Sequence, residues 1–324
     1  MARVALLSNP RSTGNRALLP GVRNFCAKHK DIFHYEVEHV DQIGTALKTI
    51  ALVNPKVLVI NGGDGTVQAA LTEIFNGRHF GDHPPPVAVL PNGKTNLIAF
   101  DLGAGDDPLA ALERVLELAR TDMVPNIVSR ELIALTDGTV GGRTVLGMFL
   151  GGAGLADTIL FCRHKIYPLG LPNGLSHLLT ALAAIVSIVF GIRAAFLPPR
   201  PVPIKVSVLK HGQVQGRFAL LMVTTLEKLL LRSHLPGRAP AAGALQLLII
   251  ERRPMVMLRA LIGTLFGGLG GLRMPGVHLE RGDEIRIEGD HSSVILDGEL
   301  FEARIDHPIV LKPTAPVPFL RLAA

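Results

Sequence analysis

"KVLVINGGDGTVQ", residues 56 to 68, sets an apolar run against three glycines and one carboxylate, then enters a stretch with helical spacing. Two readings compete. One is a tight strand-to-helix turn. The other is a phosphate cradle: glycines let the backbone approach a polyphosphate with its N–H groups inward, and a helix beginning near Thr66 adds the positive end of its dipole. Thr66 can donate a hydroxyl hydrogen bond. Asp64 would repel bare phosphate, so a carboxylate there fits a magnesium ion, a hydroxyl or a nearby donor. A turn alone needs only two glycines and leaves Asp64 idle.

Working outward, the first third alternates strand and helix signals. "RVALLSN", "IFHYEVEHV", "KVLVI" and "PPPVAVLP" read as strands. Between them lie helical patterns from about Asn15 to Lys30, in "QIGTALKTIALV", and after the glycine loop at Val67, Ala70, Leu71, Ile74 and Phe75. "DDPLAALERVLELAR" adds a capping aspartate, Pro108 in the first turn, and Leu109, Leu112, Val115, Leu116 and Ala119 on one face. Such alternation gives a Rossmann-like parallel sheet with helices on both sides. Ligands of such sheets bind beyond the C-terminal strand ends, where "NGGDGT" and "PNGKTN" both fall.

After about residue 125 the pattern turns β-rich. "RELIALTDGTVGGRTVLGMFL", "IKVSVLKHGQVQGRFALLMVTT", "GALQLLIIE" and "DEIRIEGDHSSVILDGELFEARI" are joined by Asp-Gly, His-Gly and Gly-Asp turns. The expected architecture is α/β followed by mainly β: residues 1–125 for the parallel-sheet domain and 126–305 for an antiparallel β-sandwich domain.

The composition narrows the function. The 324 residues are 48% hydrophobic and 19% charged, with a mean hydropathy of +0.36, which excludes a disordered chain. Cys26 and Cys162 stand far apart, as in a reducing cytoplasm, and the twelve histidines form no His-Glu-x-x-His pair, so no protein metal site is expected. The opening "MARVALLSNP" is too short in its apolar part for a signal peptide and reads as a first strand. Residues 158–273 hold 14 Lys/Arg against Glu227 and Glu251. That balance points to an anionic membrane surface or nucleic acid. With no Trp and two Tyr to stack bases, nucleic acid is set aside. "LLTALAAIVSIVFGI" (178–192) is too short to span a bilayer; it reads as a core helix or as one lying on the membrane, and the surrounding charge favours the second. A second apolar stretch, "PMVMLRALIGTLFGGLGGL", follows Arg253.

"AVLPNGKT" (88–95) fits a loose Walker A pattern. Its first residues belong to the strand and Pro91 has no N–H, so too little loop remains to wrap a triphosphate; Lys94 is retained as a point charge for phosphate. "LDGE" (296–299) is a strong two-residue hairpin signal in its own right.

Four pieces in order carry a resemblance: "SNPRSTGN" (8–15), Gly62-Gly63-Asp64-Gly65-Thr66 behind its strand, "LPNGKTNLIAFDLG" (90–103) and "LDGE". Together they resemble the diacylglycerol kinase catalytic-domain family, which includes bacterial lipid kinases and is related to sphingosine and ceramide kinases. The resemblance implies an active site in the cleft between the two domains, with ATP and Mg2+ and transfer of the γ-phosphate to a lipid hydroxyl of diacylglycerol type. It implies that Gly63 through Ala69, thus Asp64, Gly65, Thr66, Val67 and Gln68, wrap the nucleotide with Gly62, Asn9, Lys94, Thr95 and Asn96 beside them. It implies Asp297 as general base with Glu299 as its neighbour, Asp64 as a further catalytic carboxylate, and a tail, 306–324, that returns to the first domain. Departures are Gln68-Ala69 for the usual Asn-Glu, Lys94 for a threonine, Leu97 for an acid, and Ala242-Gly243 where relatives with a structural magnesium carry Asp-Gly. A catalytically silent lipid- or nucleotide-binding relative, and an NAD-kinase-like enzyme sharing the loop, are the alternatives. The expected partners are a lipid substrate and the anionic membrane, at which a cytoplasmic protein associates peripherally; a homodimer stays open.

Overall fold

The structure, a computed structural model, describes residues 3–137, 142–169, 179–180, 183, 202–209, 212–226, 244–265 and 274–323. The segments 178–192 and 266–273, the turn at Thr136–Thr139 and the Ala242-Gly243 pair lie wholly or largely outside them. Among the described residues no helix is long and apolar enough to cross a membrane.

The chain divides into two units, the first built from Met1–Ala134, Arg143–Gly147 and Thr314–Ala324, the second from Leu135–Gly142 and Met148–Pro313. The first unit runs β1 (Val4–Ser8), α1 (Asn15–Lys28), β2 (Ile32–Glu36), α2 (Ile43–Val53), β3 (Val57–Gly62), α3 (Asp64–Gly77), β4 (Val87–Pro91), α4 (Leu97–Asp101), α5 (Pro108–Arg120) and β5 (Ile127–Arg130). Its sheet has the order β2-β1-β3-β4-β18-β5, where β18 (Val317–Leu320) is the last strand of the chain. β1, β3 and β4 are buried along their whole length, as strands covered on both faces must be. β1 pairs in parallel with both β2 and β3, so the chain winds outward in two directions from β1. The C-terminal ends of β1 and β3 therefore form the topological switch point, where ligands of open α/β sheets bind.

Local chemistry explains the elements. Asp107 caps α5 by accepting from Leu109 N at 2.9 Å, with Pro108 at N1. The buried stripe of that helix is Ala111, Leu112, Val115, Leu116, Leu118 and Ala119, while Leu109 is half-exposed: the inward face is rotated slightly from the one the spacing predicts. α2 ends on Asn54 in the left-handed region (φ 49°), which asparagine tolerates. β18 lies parallel to β4 and antiparallel to β5. A short strand, β7 (Val145–Gly147), leans on α3, where Leu146 N donates to Thr72 Oγ1 at 2.9 Å.

The second unit is β-rich. β6 (Ile133–Thr136) carries the chain into it. β8 (Phe149–Gly152), α6 (Gly154–Phe161), β9 (Ile204–Val208), β10 (Gly212–Gly216), β11 (Phe218–Thr224), β12 (Leu245–Glu251), α7 (Pro254–Leu265), β13 (Val277–Gly282), β14 (Ile285–Gly289), β15 (Ser292–Leu296), β16 (Glu299–Ala303) and β17 (Ile309–Pro313) follow. One antiparallel sheet runs β10-β9-β14-β17-β6 and the other β13-β12-β11-β8-β15-β16. β9 and β14 alternate buried with partly exposed residues, the signature of a sheet with one covered face. The two sheets touch where Gly282 packs on Val208; a Cβ at 282 would stand 2.7 Å from a Val208 methyl.

Candidate functional site

Three strands of the first sheet carry an asparagine at or just beyond the C-terminal end: Asn9 follows β1, Asn61 is the penultimate residue of β3 and Asn92 follows β4. Their side chains knit the strand ends together. Asn61 Nδ2 donates to Ser8 Oγ at 2.9 Å, and Asn92 Nδ2 donates to Asn61 Oδ1. Asn15, at the start of α1, donates to the carbonyls of Asn9 (2.8 Å) and Asn61 (3.0 Å). Asn61 and Asn92 have no solvent exposure. Buried carboxamides are costly unless bonded, and here their bonds weld three loops into one platform. The sequence reading includes Asn9 but misses Ser8, Asn15, Asn61 and Asn92.

On this platform sits the glycine loop. Asn9 Nδ2 donates to Thr66 Oγ1 at 2.9 Å, and the hydroxyl keeps one proton of its own to donate. Ser12 Oγ accepts from Gly63 N at 3.2 Å. Gly62 is required by Thr66, since a Cβ there would come within 2.7 Å of the threonine side chain. Gly63 and Gly93 cross at van der Waals contact: a Cβ on Gly93 would lie 2.5 Å from Gly63 Cα. The glycine loop after β3 and the loop after β4 are thus one structure, joined where only glycine fits.

The helix begins two residues earlier than the spacing suggests. α3 starts at Asp64 with Gly63 as its N-cap, so the amides of Asp64 and Gly65 belong to the first turn, whose N–H groups have no partner within the helix. Thr66 N and Val67 N are already given to Gly63 O at 2.8 and 3.1 Å. Val67 is fully buried and Gln68 nearly so, and Ala69 lies half-buried on the next turn. Within the expected Gly63 to Ala69 stretch, the Asp64 and Gly65 amides are thus the ones at the open end of the helix.

Asp64 is not idle. Its carboxylate faces the N-terminus of α4, accepting from Ile98 N at 3.5 Å with the Leu97 and Asn96 N–H groups alongside. Burial raises its pKa above the usual carboxylate value, and those three donors pull the other way. Of the three predicted partners, the nearby donor is the one found. Asn96 is also occupied: in the left-handed region (φ 55°), its Oδ1 accepts from Gly93 N at 2.6 Å and its Nδ2 donates to Pro91 O and Gly93 O. It braces its own loop. Lys94 and Thr95 are exposed on that loop.

Asp297 and Glu299 belong to the second unit. Asp297 and Gly298 have φ of 46° and 100°, and Leu296 pairs with Glu299, so "LDGE" is a two-residue hairpin of the primed type. An aspartate in such a loop is ordinarily solvated, yet Asp297 is only 6% exposed. Its Oδ2 accepts from Met148 N at 2.8 Å and its Oδ1 from Phe149 N at 2.9 Å, fixing the turn to the start of β8. A carboxylate has about four lone-pair sites, and these two N–H groups take one on each oxygen. Arg163, beyond α6, donates to Gly298 O at 2.7 Å. Glu299 opens β16 and is exposed.

A glycine cradle lies at the switch point of a doubly wound sheet, and an antiparallel β unit follows. That arrangement defines a two-part protein, α/β followed by β. Residues 3–124 match the family model of the diacylglycerol kinase catalytic domain. No curated protein matches the chain. Among solved structures, a diacylglycerol kinase from Bacillus anthracis str. Sterne is similar at 14% identity and a TM-score of 0.63, covering 98% of this chain and 96% of that one. Two further structures from that organism, whose assignment as diacylglycerol kinases is itself provisional, show TM-scores of 0.63 and 0.64 at 15% and 16% identity, each covering 97% of this chain and 94% of the other. At such identities the likeness establishes the fold.

Proposed function

We propose that the chain is an ATP-dependent lipid kinase that transfers the γ-phosphate to a lipid hydroxyl, most simply that of a diacylglycerol. The observation that carries this reading is the Gly63–Gly93 crossing, with Thr66 held by Asn9 beside first-turn amides that are free to bind an anion. A polyphosphate fits that chemistry: the cradle is lined by backbone that a Cβ would fill, and the α3 dipole favours negative charge. Among the described residues no group of three or more His, Cys, Asp or Glu side chains gathers, so Mg2+ would arrive with its phosphates, as it commonly does. When bound, Mg2+ neutralises charge on the transferring group. In this reading Thr66 and the amides of Asp64 and Gly65 hold the phosphates, Lys94 adds a mobile cation, and Asp64 keeps α4 and its loop in place. Asp297 takes the acceptor's proton, a role worth about 10²- to 10⁴-fold, and Glu299 flanks it. The excess of 14 basic over two acidic residues across 158–273 supports an anionic membrane as the surface on which a peripheral enzyme meets its lipid.

A second reading, a non-catalytic lipid- or nucleotide-binding relative, has one observation in its favour: the Asp64 carboxylate is engaged by α4, and Leu97 replaces the usual acid beside it. Labelled ATP offered with a panel of lipid extracts decides between them. The kinase reading expects labelled lipid from the wild type, none from Asp297→Ala, and retained ATP binding in that variant. ATP binding with no labelled lipid from any extract would favour the second reading. Phosphorylation of NAD instead would overturn both.

A further inference from the structure

The phosphate loop is tied, through a chain of side-chain and backbone hydrogen bonds, to a titratable residue two strands away. His34 lies on β2 with 14% of its side chain exposed, its Nε2 2.9 Å from Ser8 Oγ. Ser8 is completely buried and its Oγ already accepts from Asn61 Nδ2 at 2.9 Å. A hydroxyl has a single proton to donate, and the acceptor it faces is His34 Nε2. The imidazole that satisfies both groups is therefore neutral, with its proton on Nδ1. From Asn61 the chain of bonds continues: Asn61 O accepts from Asn9 N at 3.0 Å, and Asn9 Nδ2 reaches Thr66 Oγ1 at 2.9 Å.

We propose that His34 is a positioning residue for nucleotide binding: neutral, it holds Ser8, Asn61 and Asn9 so that Thr66 is presented to phosphate, and its protonation disrupts that arrangement and weakens binding in mild acid. The proposal rests on the nucleotide-binding reading above. A proton on Nε2 makes that nitrogen a donor, so Ser8 Oγ faces two donors and its own proton loses its acceptor. Something in the set must then move, since Ser8 and Asn61 are fully buried and an unmade buried hydrogen bond costs about 1–3 kcal/mol. The charged groups acting on His34 are Glu36 on its own strand, 3.8 Å away, and Arg23 from α1, which grips Glu36 at 2.6 and 2.7 Å. Among the described residues, β1 and α2 bring no further charge to bear on it. Burial is the largest influence and lowers the His34 pKa below its usual value, so the neutral form prevails at neutral pH.

The test is backbone-amide NMR of the whole protein between pH 5 and 7.5, with and without the non-hydrolysable analogue AMP-PNP. The Gly65 and Thr66 amides should titrate with the His34 ring. The AMP-PNP Kd should rise about tenfold one pH unit below that midpoint, where roughly a tenth of the protein keeps the competent form. His34→Gln, whose carbonyl can accept from Ser8 but takes no proton, should flatten both profiles. Ser8→Ala should loosen the Gly65 and Thr66 amides at every pH. The proposal is overturned if those amides stay fixed while His34 titrates, or if His34→Gln keeps the wild-type pH dependence. Failure of the nucleotide reading looks different: AMP-PNP moves none of these amides at any pH, while their coupling to His34 is still read in the free protein.

Discussion

Replacing Gly93 by alanine tests the construction of the phosphate cradle with a single carbon. The added Cβ would stand 2.5 Å from Gly63 Cα, 3.0 Å from Asn96 Oδ1 and 3.5 Å from Asp64 N. Carbon atoms pack at about 3.5–4.0 Å, so the two loops must part by about 1 Å. No flexible side chain can absorb the clash at Gly63, because the obstacle there is backbone. A displacement of that size takes the Asp64 and Gly65 amides out of reach of a phosphate they would otherwise hold. A hydrogen bond to a charged group is worth about 1.5–3 kcal/mol, so losing one weakens nucleotide binding by roughly 10- to 100-fold. Overpacking should also lower stability by about 1–3 kcal/mol. Gly105→Ala is the matched control, since nothing lies within 4 Å of a Cβ built there. Calorimetric titration with AMP-PNP and thermal unfolding of both variants supply the readouts. If Gly93→Ala binds and melts like Gly105→Ala, the two loops are not coupled as described and the cradle is misassigned.

Asp297→Asn should turn an NH2 group toward Met148 N or Phe149 N, so thermal melting should show a loss of about 1–3 kcal/mol, and labelled-lipid assays a fall of about 10²- to 10⁴-fold. Asp157, half-buried on α6, has its carboxyl pushed by desolvation to about 6. A raised folded-state pKa means stability that is complete below the ordinary carboxylate range and lost as pH rises through about 6. Asp157→Asn should accordingly be the more stable protein above that pH, by at most about 3 kcal/mol at 1.36 kcal/mol per pH unit, with the gap closing near pH 4 in denaturant titrations. His34, with its pKa lowered, has the opposite sign: its stability contribution is complete above the ordinary histidine range and declines as pH falls below it, so His34→Gln should flatten that part of the urea-stability profile. Asp107→Ala should cost about 1 kcal/mol through the lost cap on Leu109 N, read as a lower urea midpoint with unchanged slope.

The architecture was legible because its signals are local. "KVLVI" and "PPPVAVLP" are short apolar runs with breakers at their ends, and fully buried parallel strands have to look like that. The Asp297-Gly298 turn of the second unit announced antiparallel pairing for the same reason. The glycine loop was legible in part: its glycines stood out, but the crossing of Gly63 with Gly93 joins residues thirty apart, and nothing in either loop alone reveals the other. The asparagine platform was missed for a similar reason. Asn9, Asn15, Asn61 and Asn92 look like ordinary turn formers in sequence and meet only because β1, β3 and β4 end side by side. Asp64 was misjudged by two residues of helix start, and its partner Ile98 is reached through the fold. At Asp297 the turn reading and the site reading prove compatible, since the hairpin is what aims the carboxylate inward while its main chain makes the bend.

The place of β18 has a consequence for how the protein comes into being. Val317–Leu320 fills the gap between β4 and β5, so the first sheet to be synthesised is among the last to be finished. While a ribosome is still translating the second unit, β4 and β5 stand with unpaired backbone edges, of the kind that attract foreign strands. Closure waits for a segment nearly two hundred residues downstream, a separation that slows folding. Truncation before residue 314 would make that exposure permanent, and the damage would appear as aggregation of the shortened chain long before any assay of chemistry could be run.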